Sequence, residues 1–413
     1  MTAMLDARTS MKAICPRRAL FDAVQTVGHA VTGRNPLPIL THVLIRTEGD
    51  GLRLVATDHE LGISCRVANQ KGVVDENGVG VAPESSTQVL EHGALTCPAR
   101  LLTEVLANLP DKDDVAISVD RSHTVRIHCE YSRSDYKILG LPAEDYPQLP
   151  EVQEAAAFSI PQVRLRELIR QTQFAVSQDE ARAILTGVLV VYEENTVKFV
   201  ATDTHRLAVK ETRVSEGSGG SQRAIVPVRA MNELARLLTD AEGDVRVVIS
   251  SNQIQFELPG EGDVQIVSRL IEGQFPNFQR VIPTAHQRRL TVEVGALLRA
   301  VRRAAIVARE NAQRIVFRTN EDKLVLTAES QMVGNAREEI EVENEGGDVE
   351  IAFNAKYLLD VLNVIDTEKV HLELTEPLKP GVLRPVSMLD TVDDCDAAVG
   401  ESYLCVLMPM QIV

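Results

Sequence analysis

The 413-residue sequence is 44% hydrophobic and 25% charged, a balance that suits a globular chain of two to four domains with packed cores. It has no Trp and only 4% aromatic residues, which argues against base stacking as a binding mode. No run of about 18 apolar residues suggests a membrane span, and the start MTAMLDARTSMKAI lacks the basic-then-apolar layout of a secretory leader. The net charge of −16 sets a condition on any nucleic-acid role: positive charge would have to be segregated onto one face.

Residues 1–10 read as an extension ahead of the first strand-like run, which opens at Met11. A helical stretch follows from Pro16 to Val31. Then comes LTHVLIRTEGDGLRLVATDHELGISCRV, Leu40 to Val67, in which two alternating apolar runs flank a polar turn. The stretch from Asn69 to Gly93 reads as an inserted loop, and PARLLTEVLANLP, from Pro98, as a second helix. The pattern then recurs. A helix is predicted from Pro161 to Val176, with Leu165, Leu168, Ile169, Thr172 and Val176 at helical spacing. A hairpin segment runs from Leu185 to Thr212, Ser215 to Arg223 forms a flexible connector, and a helix opens at Pro227. The third copy is fainter: a helix from Val294 to Ala308, a hairpin from Ala312 to Glu339, and a helix opening at Asn354. The unit is strand, helix, three strands, helix, strands. Each copy suits an α+β domain of two helices and two sheets, giving boundaries at 1–156, 157–286 and 287–413.

The six helical stretches are together basic, with Arg299, Arg302, Arg303 and Arg309 the largest contribution, so the remainder is more acidic than the whole. A ring with helices inside and sheets outside would use such a division to attract phosphates without reading bases. Ordinary solvated helix faces would produce it too. The Ala-Thr-Asp step (Ala56–Asp58, Ala201–Asp203) is shared by the first two copies and reads as structural, whereas His205-Arg206-Leu207 is peculiar to the second. Six scattered cysteines without a C-x-x-C pair read as buried thiols in a reducing cytosol, so a cytoplasmic chain with no metal or other cofactor is expected.

Specific strings accompany the repeat: NPLPIL (35–40), ATDTHRLAV (201–209), EGQFPNFQRVIP (272–283), FNAKYLLDVL (353–362) and LMPMQIV (407–413). With them the chain resembles the beta sliding clamp family, the beta subunit of bacterial DNA polymerase III, over residues 11–413. The resemblance implies a non-catalytic processivity factor: a head-to-tail homodimer of six domains, helices lining the hole, closed around double-stranded DNA of any sequence. It also implies a hydrophobic pocket for peptides of the polymerase alpha subunit, the clamp loader, other polymerases and repair proteins. Carried over by motif, the pocket walls are Leu185, Thr202, Thr204, His205, Arg206, Leu207, Pro276, Val281, Asn354, Tyr357, Leu378, Pro380, Val406, Met408, Pro409 and Met410. Mobile methionines suit a pocket with many clients, and His205, Arg206 and Asn354 would form its polar rim. DNA contacts carried over are Arg34, Arg100, Arg182 and Arg229. The dimer seam would pair Val105, Leu109, Tyr136 and Ile138 with Ile306 and Val307. The family usually has Gly at the position of Thr204, a small polar residue near Pro380 and a basic one at Gln411, and each departure bears on peptide preference.

The rival class is an enzyme built on Asp203 and His205. No G-x-S-x-G, Walker loop, H-E-x-x-H or GxGxxG accompanies that pair, and Asp58 recurs at the matching place without the same histidine context.

Overall fold

The computed structural model describes residues 10–33, 36–67, 86–214, 216–260, 262–386 and 402–412. Within them the order strand, helix, five strands, helix, three strands occurs three times, opening at Met11, Ala156 and Arg288. The first helices are α1 (Arg17–Gly28), α3 (Gln162–Arg170) and α5 (Val294–Ala308), and the second are α2 (Ala99–Ala107), α4 (Val228–Leu237) and α6 (Ala355–Leu362). Two strands per copy escaped the sequence reading because they are short or abut a helix. One lies inside the stretch expected to be an inserted loop: Gln88–Glu91 pairs with Met11–Pro16. Residues 69–85 of that stretch lie outside the described residues. The Ser215–Arg223 connector is likewise corrected, since Glu216–Gly219 and Gln222–Pro227 are strands. The helix expected to reach Val176 stops at Arg170. The Thr172 hydroxyl donates to the Leu168 carbonyl at 2.6 Å, and the chain continues as a 3-10 turn over Gln173–Ala175.

The chain packs as two compact units, residues 1–162 with 236–269 and residues 163–235 with 270–413. In each, a sheet runs on from one copy into the next. In the first unit Val264–Arg269 pairs with Leu61–Arg66, and in the second Arg206–Arg213 pairs with Ser402–Leu407. In the second unit the sheet has one face against the core that includes Leu297, Val301, Leu358 and Leu362 of α5 and α6. Its other face carries Leu207, Val382 and Val406, and Phe275, Phe278 and Ile282 pack on it. Strand alternation explains this division: Leu383, Cys405 and Leu407 go to the helix side, and Val382, Leu404 and Val406 to the other.

Arg17, one of the basic residues of the first helical stretch, is buried at 7% exposure. Its Nε donates to the Leu106 carbonyl at 2.6 Å, an Nη to the Ala107 carbonyl at 3.2 Å, and the other Nη to Asp111 at 2.6 Å. These carbonyls lie at the C-terminus of α2, where a cation is favoured, and that of Leu106 also accepts from the Leu109 amide. The described cysteines are free and buried, and burial pushes the thiols of Cys15, Cys65, Cys97 and Cys405 up to about 12 and that of Cys129 up to about 11. Cys395 lies outside the described residues.

Arg17→Ala is expected to cost about 1–2 kcal/mol of unfolding free energy, because it removes charge-assisted hydrogen bonds to the Leu106 and Ala107 carbonyls at the end of α2. Urea denaturation checks this, and an unchanged midpoint would contradict it. Iodoacetamide at pH 8 should leave Cys15, Cys65, Cys97, Cys129 and Cys405 unlabelled until denaturant is added. Prompt labelling of any of them, read by peptide mass mapping, would show that its thiol is not sequestered.

Candidate functional site

The turn after each Ala-Thr-Asp step is built from that step's own side chains. In the second copy the Thr202 hydroxyl accepts from the Thr204 amide and donates to the Arg206 carbonyl, while Asp203 Oδ1 accepts from the amides of His205 and Arg206. In the first copy Thr57 and Asp58 make the same four bonds around His59, Glu60 and Leu61. The third residue is forced into the left-handed region in both, with φ +77° at His59 and +79° at Thr204. A β-branched residue there is strained by about 1–2 kcal/mol, and glycine is not. The departure noted at Thr204 therefore has a physical content. Thr204 accepts the conformation under strain, and its hydroxyl accepts from Arg182 at 3.2 Å.

The second copy replaces Leu61 with Arg206, and this arginine organises the surroundings. Its Nε donates to Asp203 Oδ2 at 3.0 Å, one Nη to Asp360 of α6 at 2.5 Å, and the other to the Phe174 carbonyl at 2.5 Å. The guanidinium lies 4.5 Å from the centre of the Tyr357 ring and 5.4 Å from that of Phe174. At 7% exposure it is a buried brace, and this corrects its expected place on a polar rim. Asn354 has a structural duty as well: its Oδ1 accepts from the amides of Lys356 and Tyr357 and so caps α6, which leaves its Nδ2 donors unused by the cap. His205 stacks on Tyr357 at 6.3 Å between ring centres, and burial first, then the Asp203 carboxylate, raises the Tyr357 phenol above its ordinary value. Asp203 is thus spent on the turn and on Arg206, and the His205 ring turns to an aromatic partner.

Above this brace lies a cavity of about 170 Å³ walled by Thr202, Thr204, Arg206, Leu207, Pro276, Asn277, Phe278, Val281, Val406 and Met408. Eight of these were singled out in the sequence. Asn277 and Phe278 were missed, although Phe278 lies in the quoted string 272–283, two residues after Pro276, and begins a 3-10 turn that ends at Val281. The other expected walls stand apart from this cavity. Leu185 is buried, Leu378 is exposed in the turn before Gly381, and Pro380 lines a different cavity. The terminal segment leaves its strand after Leu407. Met408 is 38% exposed and held by its amide to the His205 carbonyl; the amide of the half-buried Met410 donates to the Ala352 carbonyl. Pro409 between them is half-buried.

Of the arginines assigned to DNA, Arg34 lies outside the described residues. Arg100 is exposed and paired with Glu104 at 2.9 Å, and Arg229 is half-buried at the start of α4. Arg182 stands beside the cavity, tied to Thr204 and 3.4 Å from Asp179. The basic helix charge is also less free than its count suggests. Arg170 pairs with Asp366, Arg303 with Glu338, and Arg299 with Glu293, while Arg18 and Arg309 are exposed without an ion pair among the described residues. Among the seam residues, Leu109 and Ile138 are already buried inside the chain, so neither side chain is available to a partner. Val105, Tyr136 and Val307 are half-buried and Ile306 is exposed, as is Leu139 next to Ile138. Among the described residues no group of three or more His, Cys, Asp or Glu is placed to hold a metal ion, and no helix is long and apolar enough to cross a membrane.

With this geometry in hand, the relatives are informative. The N-terminal, central and C-terminal domain profiles of the DNA polymerase III beta subunit match residues 11–150, 159–277 and 279–394. A beta sliding clamp from Staphylococcus aureus is 32% identical over 358 residues, covering 86% of this chain and 90% of the relative. The crystal structure of a DNA polymerase sliding clamp from Bacillus subtilis is similar with a TM-score of 0.86 at 28% identity, covering 98% of this chain and all of that one. A sliding clamp, DNA polymerase III subunit beta, from Pseudomonas aeruginosa bound to griselimycin gives 0.84 at 32% identity, with 98% of this chain and all of that one covered. The fold is thus the three-copy α+β fold of a DNA clamp. The chain belongs to the DNA polymerase III beta subunit family, the bacterial beta sliding clamps. Its function is that of a DNA sliding clamp, a non-catalytic processivity factor.

Thr204→Gly is expected to raise the unfolding free energy by about 0.5–1 kcal/mol, the relief of left-handed strain less the added flexibility of the unfolded chain. Thermal and urea unfolding measure it, and a clear loss of stability would mean that Thr204 contributes more to the turn than its conformation costs.

Proposed function

We propose that two copies of the chain close head to tail into a ring around duplex DNA, and that the cavity at Thr202, Leu207 and Val406 takes apolar side chains of client peptides. The observation that carries the tethering role is this cavity itself: apolar walls, an exposed methionine among them, and a floor fixed by Arg206. Pro409, Met410, His205 and Tyr357 extend it as a shelf for the rest of the peptide. Clients would include the polymerase alpha subunit, the clamp loader and repair proteins. The griselimycin-bound relative supports a ligand site on this fold. The domains divide at about residues 157 and 287, and the protein works in the cytoplasm.

Ring closure is supported by two sheet edges. Ser134–Leu139 and Gly334–Glu341 each end a sheet among the described residues, and each exposes unpaired backbone groups. Open edges of this kind invite strand addition. Leu139 is 77% exposed on the first, and Ile306 is 66% exposed on α5, which packs against the second. Joining the edges between two copies would continue both sheets and cover these side chains. Enclosure then retains the DNA, so the phosphate contacts of Arg34, Arg100, Arg182 and Arg229 can stay weak and salt-sensitive, as sliding requires.

The loaded protein should remain on nicked circular DNA and leave when that DNA is linearised. Equal release from both forms, measured by gel filtration, would remove the topological mechanism. Met408→Ala combined with His205→Ala should weaken polymerase binding and leave the dimer intact in sedimentation. Dissociation to monomers would place these residues in the core instead of the pocket.

A further inference from the structure

A second cavity of about 210 Å³ lies beside the first, lined by Pro283, Thr284, His286, Glu373, Pro380 and Arg384 among others. Register places the two side by side. Thr202 pairs with Leu207, Leu207 with Val406, Val406 with Val382, Val382 with Glu373, and Glu373 with Arg289. Directly paired residues share a face, so these six form one row across the sheet. The row begins apolar at the first cavity and ends charged at the second. The segment over the sheet follows the same order: Pro276, Phe278 and Val281 wall the first cavity, and Pro283, Thr284 and His286 the second.

The carboxylate of the second cavity is more than matched by the cations around it. Glu373, its side chain 13% exposed, is its one carboxylate, and three cationic or ionisable groups surround it. Arg384 Nε lies at 3.0 Å, an Nη of Arg289 at 3.5 Å and His286 Nδ1 at 3.7 Å. Only Arg384 of the two guanidinium groups lines the cavity, but with Arg289 behind it the Glu373 carboxylate is met twice over. Arg384 spends only its Nε there, and its two Nη groups make no hydrogen bond among the described residues. A half-exposed guanidinium with unused donors, lining a cavity, suits a carboxylate.

We infer that the second cavity is a carboxylate subsite, taking an Asp or Glu side chain of the same peptide that seats its apolar residues in the first. This rests on the reading of the first cavity as a peptide pocket. Strands lie about 4.8 Å apart, so Val406 and Leu207 stand roughly 10 and 14 Å from Glu373. An extended peptide advances about 3.3 Å per residue, which sets the acidic residue three or four positions from the apolar anchor. Pro380 contributes to this subsite and not to the apolar one, which gives its departure from the family a place to act.

The test uses fluorescence anisotropy on the full chain with labelled decapeptides of Ser and Gly around a Leu-Leu anchor. Glu or Gln is set three or four residues away on either side. At one of these positions the Glu peptide should bind about five- to tenfold tighter than its Gln twin, with the gain shrinking as salt rises. Arg384→Gln should bring that ratio close to one, and Arg384→Lys should keep part of it. Equal binding of Glu and Gln peptides at every position, or a gain that persists in Arg384→Gln, overturns the subsite while leaving the apolar pocket standing. Failure of every peptide to bind overturns the pocket reading and this one with it. Duplex DNA that displaces the Glu peptide from the native chain but not from Arg384→Gln would assign the cavity to phosphate and also overturn the proposal.

Discussion

The site depends on how one buried guanidinium is held. Arg206 takes its place from the turn that Thr202 and Asp203 build, and from there it reaches α6 through Asp360 and the end of the α3 segment through the Phe174 carbonyl. Two aromatic faces cover it. A cation in such a place is stable only while its partners stay, because removing one leaves charge buried without compensation. The geometry of the cavity wall is therefore coupled to the packing of a helix 154 residues further along the chain. A pocket that must accept several peptides gains from this arrangement. Its floor is held by Arg206, and the unbranched side chain of the exposed Met408 lies in its wall.

The same sheet face explains how one surface can offer two chemistries. Its helix side is apolar where α5 and α6 bury it, and the charged residues there, Arg206 and Lys210, are each paired with a carboxylate. Its other side is covered by Ile184, Ile271 and the chain around residues 275–282, and it is apolar where that cover packs, as at Leu207, Val382 and Val406. Beyond Val382 the row turns to Glu373 and Arg289. Charge elsewhere follows a related economy. Several helix arginines are matched by acidic residues within the chain, so an acidic protein bound for DNA keeps its free positive charge sparse. Weak contacts of this kind are compatible with movement along a phosphate backbone.

Much of the fold was legible from residues because it is repeated. α5 runs from Val294 to Ala308 as its apolar spacing indicated, and Pro16, Pro98, Pro161 and Pro227 mark helix starts through their fixed backbone angle. The Ala-Thr-Asp step was legible as structural because two copies share it. What was not legible depends on partners remote in sequence. Nothing near Arg206 announces Asp360 or Phe174, so a residue that looked like a rim cation turned out to be a brace. Asn354 was recognised as a helix opener, and its Oδ1 caps α6 while its Nδ2 amide group keeps its donors. The glycine- and serine-rich run from Ser215 looked like a linker because short edge strands need little apolar signal. Ile138 and Leu139 show the limit of strand reading. Which of two adjacent apolar residues faces outward depends on a register that single-strand composition does not set.

The most direct test of the central role of Arg206 is a double-mutant cycle with Arg206→Gln and Asp360→Asn, read in both unfolding free energy and affinity for an apolar peptide. If the guanidinium joins the turn to α6 and thereby shapes the cavity, the two losses will be non-additive by about 1–3 kcal/mol in stability, and both single variants will bind peptide more weakly. Additive stability effects with peptide affinity unchanged in either variant would contradict it.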